Sequence, residues 1–189
     1  MLYTLLFDAE ELAAATSEGE KISRTALAFG YRHLYGGELP EIILNASGKP
    51  SFSSGAPAFS ISHSGGLVAL ALSDTASALG VDIERHRELI QREKIEKRLL
   101  AGLDTPKWDG GEAEIIFLGL NREKRETEPT RAKKMGFFER WTLLESLLKC
   151  DGGGFSAVGR AEALLGSHSA QVYNIVYRGE EYSLSIAIG

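Results

Sequence analysis

Hydrophobic residues recur along this chain with two periods. Across 78–84 they alternate, so Leu79, Val81 and Ile83 share one face of a predicted strand while Gly80, Asp82 and Glu84 share the other. Across 136–150, Phe137, Phe138, Trp141, Leu144 and Leu148 have the spacing of an amphipathic helix's buried stripe. Asp151-Gly152-Gly153-Gly154 then stops that helix. The same reading predicts strands at 2–7, 41–45, 58–63 and 67–73, and helices at 22–35 and near 88–101. Residues 67–72 are continuously apolar, which predicts a central strand. The C-terminus reads as a hairpin, 172–177 and 182–188, turning at Arg178-Gly179-Glu180. Strands mixed with segregated helices indicate an α+β fold.

The polar positions left by these patterns carry chemistry. Asp82 and Glu84 lie side by side on one strand face and repel unless a cation lies between them. Mg²⁺ suits such a pair, because it takes oxygen ligands and keeps room for water and phosphate oxygens. A strand whose polar face is simply wet would look the same. On the helix, Glu145 falls between Trp141 and Lys149. A carboxylate at the edge of an aromatic stripe is partly desolvated and favours a cation or a proton. The alternative is an exposed i,i+4 pair, worth a few tenths of a kcal/mol. Ser62-His63-Ser64-Gly65-Gly66 follows a strand-like run, and its small residues let backbone N–H groups approach an anion. It also fits an ordinary hairpin turn, with His63 a surface or core histidine. Brought together, three carboxylates and an ammonium would hold a hard divalent cation against a phosphate.

Four stretches in order, Gly48-Lys49-Pro50, Phe59-Ser60-Ile61-Ser62-His63-Ser64, 80–84 and 141–149, resemble the motifs of the 4′-phosphopantetheinyl transferases. The resemblance is to the larger, two-lobed branch that activates carrier proteins, and it runs from about Ser23 to Phe155. It implies two similar lobes forming a pseudo-dimer, each an antiparallel sheet packed against helices, with the active site between them. The boundary would fall near 75, giving an N-terminal lobe at 1–75 and a C-terminal lobe at 76–189. It implies Mg²⁺ on Asp82, Glu84 and Glu145, with Glu145 also helping to deprotonate the attacking serine and Lys149 supporting the transferring phosphate. Lys49 and Pro50 of the G-K-P stretch, with Ser62 and His63, would contact coenzyme A. Arg24 would bind the 3′-phosphate of the nucleotide. The implied reaction is transfer of 4′-phosphopantetheine from coenzyme A to a serine of an apo acyl or peptidyl carrier protein, releasing 3′,5′-ADP. The alternatives are a coenzyme A and Mg²⁺ binding module of the same fold, and a metal-dependent phosphate-ester hydrolase using the same carboxylates.

Composition narrows the setting. The 189 residues are 43% hydrophobic and 25% charged, ordinary globular values. A formal net charge of -5 argues against a general nucleic-acid binder. One cysteine, Cys150, excludes an intramolecular disulfide framework, argues against zinc and suits a reducing cytoplasm. The start of the chain has no basic segment and too short an apolar run for a signal peptide, and no apolar run is long enough to span a membrane. A monomer is the expectation for two lobes in one chain. The sequence departs from the resemblance in two places. Only 23 residues precede Arg24, which implies a trimmed first lobe. The span 85–135 is long, and its piece 121–134 holds six basic residues against three acidic ones. That surplus would help dock an acidic carrier, or it marks a solvated loop.

Overall fold

Strand β1 (Leu2–Asp8) is buried along almost its whole length, because both faces of its sheet are covered. Leu5 and Phe7 enter one apolar cluster and Leu2 and Leu6 another. This is the structure of a computed structural model, which describes all residues except 104–105, 109–112, 120–123, 126–128 and 134, and the side chains except those of 124–125 and 155–157 as well. After β1 come α1 (Ala9–Ala15), α2 (Ile22–Tyr35), β2 (Ile42–Leu44), β3 (Pro50–Phe52), β4 (Ala58–Ser64), β5 (Leu67–Ser73) and β6 (Leu79–Arg85). They are followed by α3 (Arg92–Ile95), which runs into a π-helical turn at Glu96–Leu100, then β7 (Ala113–Leu118), β8 (Lys124–Arg125) and β9 (Thr130–Arg131). The chain continues with α4 (Phe137–Asp151), a 3₁₀ segment at Gly154–Arg160, α5 (Ala161–Ser167), β10 (Ser169–Tyr177) and β11 (Glu180–Ile188).

These elements stack as helix, sheet, sheet, helix. The first sheet has the order β4-β5-β1-β7-β8 and the second β6-β11-β10-β9, while β2 and β3 form a separate hairpin. Even-odd alternation settles which residue enters which layer. Val68, Leu70 and Leu72 of β5 pack towards α2 with Ala26 and Leu27, whereas Leu67, Ala69 and Ala71 face the second sheet. From that sheet Leu79, Val81 and Ile83 of β6 meet them, with Leu184 and Ile186 of β11. Its other face, through Ala170, Val172 and Ala187, packs on α4.

The expected α+β class holds, and the expected strands and helices fall close to their places; α2 and β5 match residue for residue. The antiparallel expectation needs a correction in the first sheet. There β7 runs parallel to β1, pairing Leu2 with Ala113 and Leu6 with Phe117. The connection from β1 to β7 runs through β6 of the second sheet, so it far exceeds the crossover that a parallel neighbour requires. The helix expected near 88–101 is confined to Arg92–Leu100. Much of the basic piece 121–134 lies outside the described residues; within it, β9 extends the second sheet by pairing Arg131 with Tyr173. No helix among the described residues is long and apolar enough to cross a membrane.

Where the two sheets meet at their edges, β4 and β6 are joined by serine hydroxyls instead of a backbone ladder. Ser60 Oγ accepts from the Val81 amide at 3.0 Å and Ser64 Oγ from the Arg85 amide at 3.1 Å. Ser62 Oγ donates to Asp82 Oδ1 at 2.7 Å. A second tie lies at the far end of β1. The buried Asp8 caps α1, its Oδ1 accepting from the amides of Glu10 at 2.8 Å and Glu11 at 3.0 Å. Its Oδ2 takes Tyr177 Oη–H and the Arg178 guanidinium, the latter at 2.8 Å. Arg178 and Gly179 form the β10–β11 turn with φ of 52° and 79°, the left-handed pair that a two-residue hairpin needs.

Burial alone would raise the Asp8 carboxyl, but hydrogen bonds from Tyr177 and the Glu11 amide, with Arg178 beside it, hold it below its ordinary value. A depressed folded pKa supplies stability that is fully present above the unfolded value of about 4 and is lost as pH falls through the folded one. Asp8→Asn is therefore expected to cost about 1–3 kcal/mol at pH 7. The deficit should narrow below about pH 4 in urea unfolding. An equal deficit at pH 3 and pH 7 would show that the charge of Asp8 does not matter.

Candidate active site

The site begins with a glycine. A Cβ added to Gly80 would lie 1.9 Å from the Ser146 carbonyl oxygen and 2.6 Å from the Cys150 nitrogen. Only hydrogen in that place lets β6 run directly against the backbone of α4. Asp82, two residues along on the same face, then sits under Lys149, one turn beyond Glu145. Lys149 Nζ donates to Asp82 Oδ1 at 2.7 Å and to the Val81 carbonyl at 3.2 Å. Asp82 is buried, so desolvation raises its carboxyl, against the opposing pull of Lys149 and Ser62.

Helix α4 is buried more widely than its apolar stripe predicts. Thr142, Ser146 and Cys150 are enclosed along with Leu143, Leu144, Leu147 and Leu148, while Trp141 is half-buried. The helix is wedged between the second sheet and α5, and its serine and threonine satisfy themselves locally: Thr142 donates to Phe138 O at 3.0 Å, Ser146 to Leu143 O at 2.9 Å. Glu145 remains on the half-buried edge. Among the described residues it has no hydrogen-bond or ion-pair partner. Burial raises its carboxyl, and the Asp82 and Glu84 carboxylates raise it further, with Lys149 opposing. The helix stops where the sequence places the stop, at Gly152 with φ of 78° and its amide on Leu148 O.

Beside this edge opens a cavity of about 470 Å³, a size suited to a small-molecule ligand. It is lined by Lys49, Pro50, Ser62, His63, Glu145 and Lys149, with Phe59, Ile61 and Leu148 as apolar wall. Six of the residues expected from sequence thus converge on one pocket. Asp82 and Glu84 stand next to it rather than in its wall. Lys49 turns its ammonium to the chain: Nζ donates to Cys150 O at 3.1 Å and Leu79 O at 3.2 Å, fastening the β2–β3 hairpin to the end of α4. Desolvation lowers its pKa. Arg24 lies apart from the pocket, paired at 3.3 Å with Glu20, which precedes the start of α2.

Over 116 residues the chain is 35% identical to the 4′-phosphopantetheinyl transferase AcpT of Salmonella typhimurium, which covers 61% of this chain and 51% of that protein. It is 34% identical over 116 residues to the AcpT proteins of Salmonella typhi and of Escherichia coli K12, covering 61% of this chain and 51% and 50% of theirs. Over this span the chain is similar to 4′-phosphopantetheinyl transferases. No family model matches it. The chain spans about half the length of the curated relatives it matches.

Two of the three expected metal ligands are drawn towards protein cations, and the third, Glu145, is not. Asp82 pairs with Lys149, and Glu84 Oε1 with Arg87 Nη1 at 2.7 Å. Among the described residues no cluster of three acidic, histidine or cysteine side chains is gathered closely enough to hold a metal ion as it stands. The donor set nevertheless fits a hard dication: all three groups are carboxylates, and the charges of Asp82 and Glu84 both push the Glu145 carboxyl up. A dication would relieve that repulsion.

Two neighbours of the site escape a reading by motif. Arg87 follows the acidic pair by three residues, and the basic run Arg85-His86-Arg87 was the signal available for it. His86 stacks on Phe138 with ring centroids 4.5 Å apart, and its Nε2 is 2.8 Å from Ser183 Oγ. It joins the end of β6 to the start of α4.

Proposed function

We propose that this chain transfers 4′-phosphopantetheine from coenzyme A to a serine hydroxyl of an apo carrier protein, with Mg²⁺, releasing 3′,5′-ADP. The observation that carries the reading is the convergence of the G-K-P hairpin, the Ser62-His63 strand and the Glu145-Lys149 edge of α4 on one pocket. The activity for which the AcpT relatives are named points the same way.

In this reading the apolar wall of Phe59, Ile61 and Leu148 receives the organic part of coenzyme A, and His63 and Lys149 face its phosphates. Lys149 is a point charge held in place by Asp82 and by a backbone carbonyl, so it neutralises phosphate charge without having to be ordered first. Glu145 is the base. Its raised affinity for a proton suits it to take one from the attacking serine, directly or through a water. Asp82, Glu84 and Glu145 would hold the Mg²⁺, which supplies charge neutralisation at the pyrophosphate. We further propose two lobes, 1–75 and 76–189, working as a monomer in the cytoplasm, with Arg24 reaching the nucleotide from α2.

The test incubates the full chain with coenzyme A, Mg²⁺ and a panel of apo carrier proteins, which are then weighed. A phosphopantetheine mass gain on one serine, abolished by chelation, is the expected result. Coenzyme A binding with no gain on any carrier would replace the transferase with a binding module.

A further inference from the structure

Ser62 faces the pocket, but its hydroxyl proton is committed elsewhere. Asp82 Oδ1 receives two donors, Ser62 Oγ–H and Lys149 Nζ–H, each at 2.7 Å. They come from different elements, one from β4 of the first sheet and one from α4. A carboxylate has one remaining torsion, and two donors on the same oxygen fix it, so the direction of Oδ2 is fixed as well. A serine hydroxyl has a single proton to donate, and a phosphate oxygen only accepts. While that proton is on Asp82, Ser62 cannot also donate it to a phosphate. The coenzyme contact expected from sequence therefore does not account for this side chain.

The flanking serines make the point sharper. Ser60 and Ser64 cross between the same two strands, yet they accept from the Val81 and Arg85 amides and touch no carboxylate. All three bridges hold β4 to β6, and only the middle one holds an acid. We infer that Ser62 is a positioning residue that orients Asp82 for the divalent cation. This rests on the metal reading above. Partners of this kind, one step behind a metal ligand, carry about 10–100-fold in metal affinity where they have been removed.

The experiment titrates the full chain with Mn²⁺ alone, without nucleotide, and reads bound ion by electron paramagnetic resonance beside a thermal melt. Ser62→Ala should weaken Mn²⁺ binding about tenfold, and Ser62→Thr, which keeps the hydroxyl, should restore most of it. Ser64→Ala removes an equivalent bridge, so it should lower the melting temperature comparably and leave Mn²⁺ affinity near wild type. Wild-type affinity in Ser62→Ala, or equal weakening in Ser64→Ala, overturns the positioning role and leaves the metal reading standing. A wild-type chain that binds no Mn²⁺ overturns both.

Discussion

Glu145→Gln should remove transferase activity and at the same time raise the melting temperature measured in chelator. The two effects share a cause. Glu145 is a half-buried carboxylate with the charges of Asp82 and Glu84 against it, and burial is the larger reason its pKa is raised. In the unfolded chain the same group ionises at about pH 4.3. Above that pH the unfolded state gives up its proton first, so stability falls as pH rises towards the folded pKa, and the deficit persists at neutrality. Glutamine keeps the shape and removes the charge. The gain should be present at pH 7 and absent below about pH 4. Loss of the base should cost about 10²–10⁴-fold in kcat, read by carrier mass gain against time. Asp82→Asn is expected to lose activity to a similar degree. Wild-type-like turnover in Glu145→Gln would remove the residue from the mechanism. An unchanged melt would mean that its charge is not under strain.

Gly80→Ala is the largest structural change a single methyl group can make here. The new Cβ would fall 1.9 Å from a carbonyl oxygen of α4 and within 3 Å of a backbone nitrogen, and neither belongs to a flexible side chain. Either β6 or α4 must move. We expect a loss of roughly 3 kcal/mol, the upper range for overpacking. For a chain of this size that is about 6–12 °C in melting temperature. Because the same contact puts Asp82 under Lys149, activity should fall by more than the folded fraction does. A variant with a wild-type melt would mean that helix and strand are not pressed together as described. Gly166→Ala is the control, since a Cβ there meets nothing within 4 Å.

What could be read from sequence was what depends on local period. The alternation in β6 and the stripe in α4 placed Asp82, Glu145 and Lys149 on faces that do meet. What could not be read was packing between distant elements. Gly80 looked like one more polar-face residue, because its need for a bare Cα exists only once α4 lies across it. Lys49 looked free for a phosphate, because nothing local says that the end of α4 would come within reach of its ammonium. Arg24 carries an i,i+4 acid, Glu20, that the motif reading passed over. Helix α1 is too short to show a period, although Asp8 ahead of Glu10 and Glu11 was a legible start signal. The Ser60-Ser62-Ser64 alternation was in plain view, but its meaning depends on a neighbouring strand edge.

The parallel pairing of β7 with β1 has a consequence for how the chain assembles. The seven residues at the start of the first sheet find one neighbour in β5 and their other only when residue 113 and beyond have been made. Until then β1 presents an open edge of unpaired backbone, the kind of surface that recruits strands from other molecules. A ribosome would therefore release more than half of the sequence before its first strand is covered on both sides. Contacts this far apart in sequence also make folding slow. A fragment cut at residue 75 would keep that edge permanently, so the first sheet is not self-sufficient without sequence from the second half of the protein.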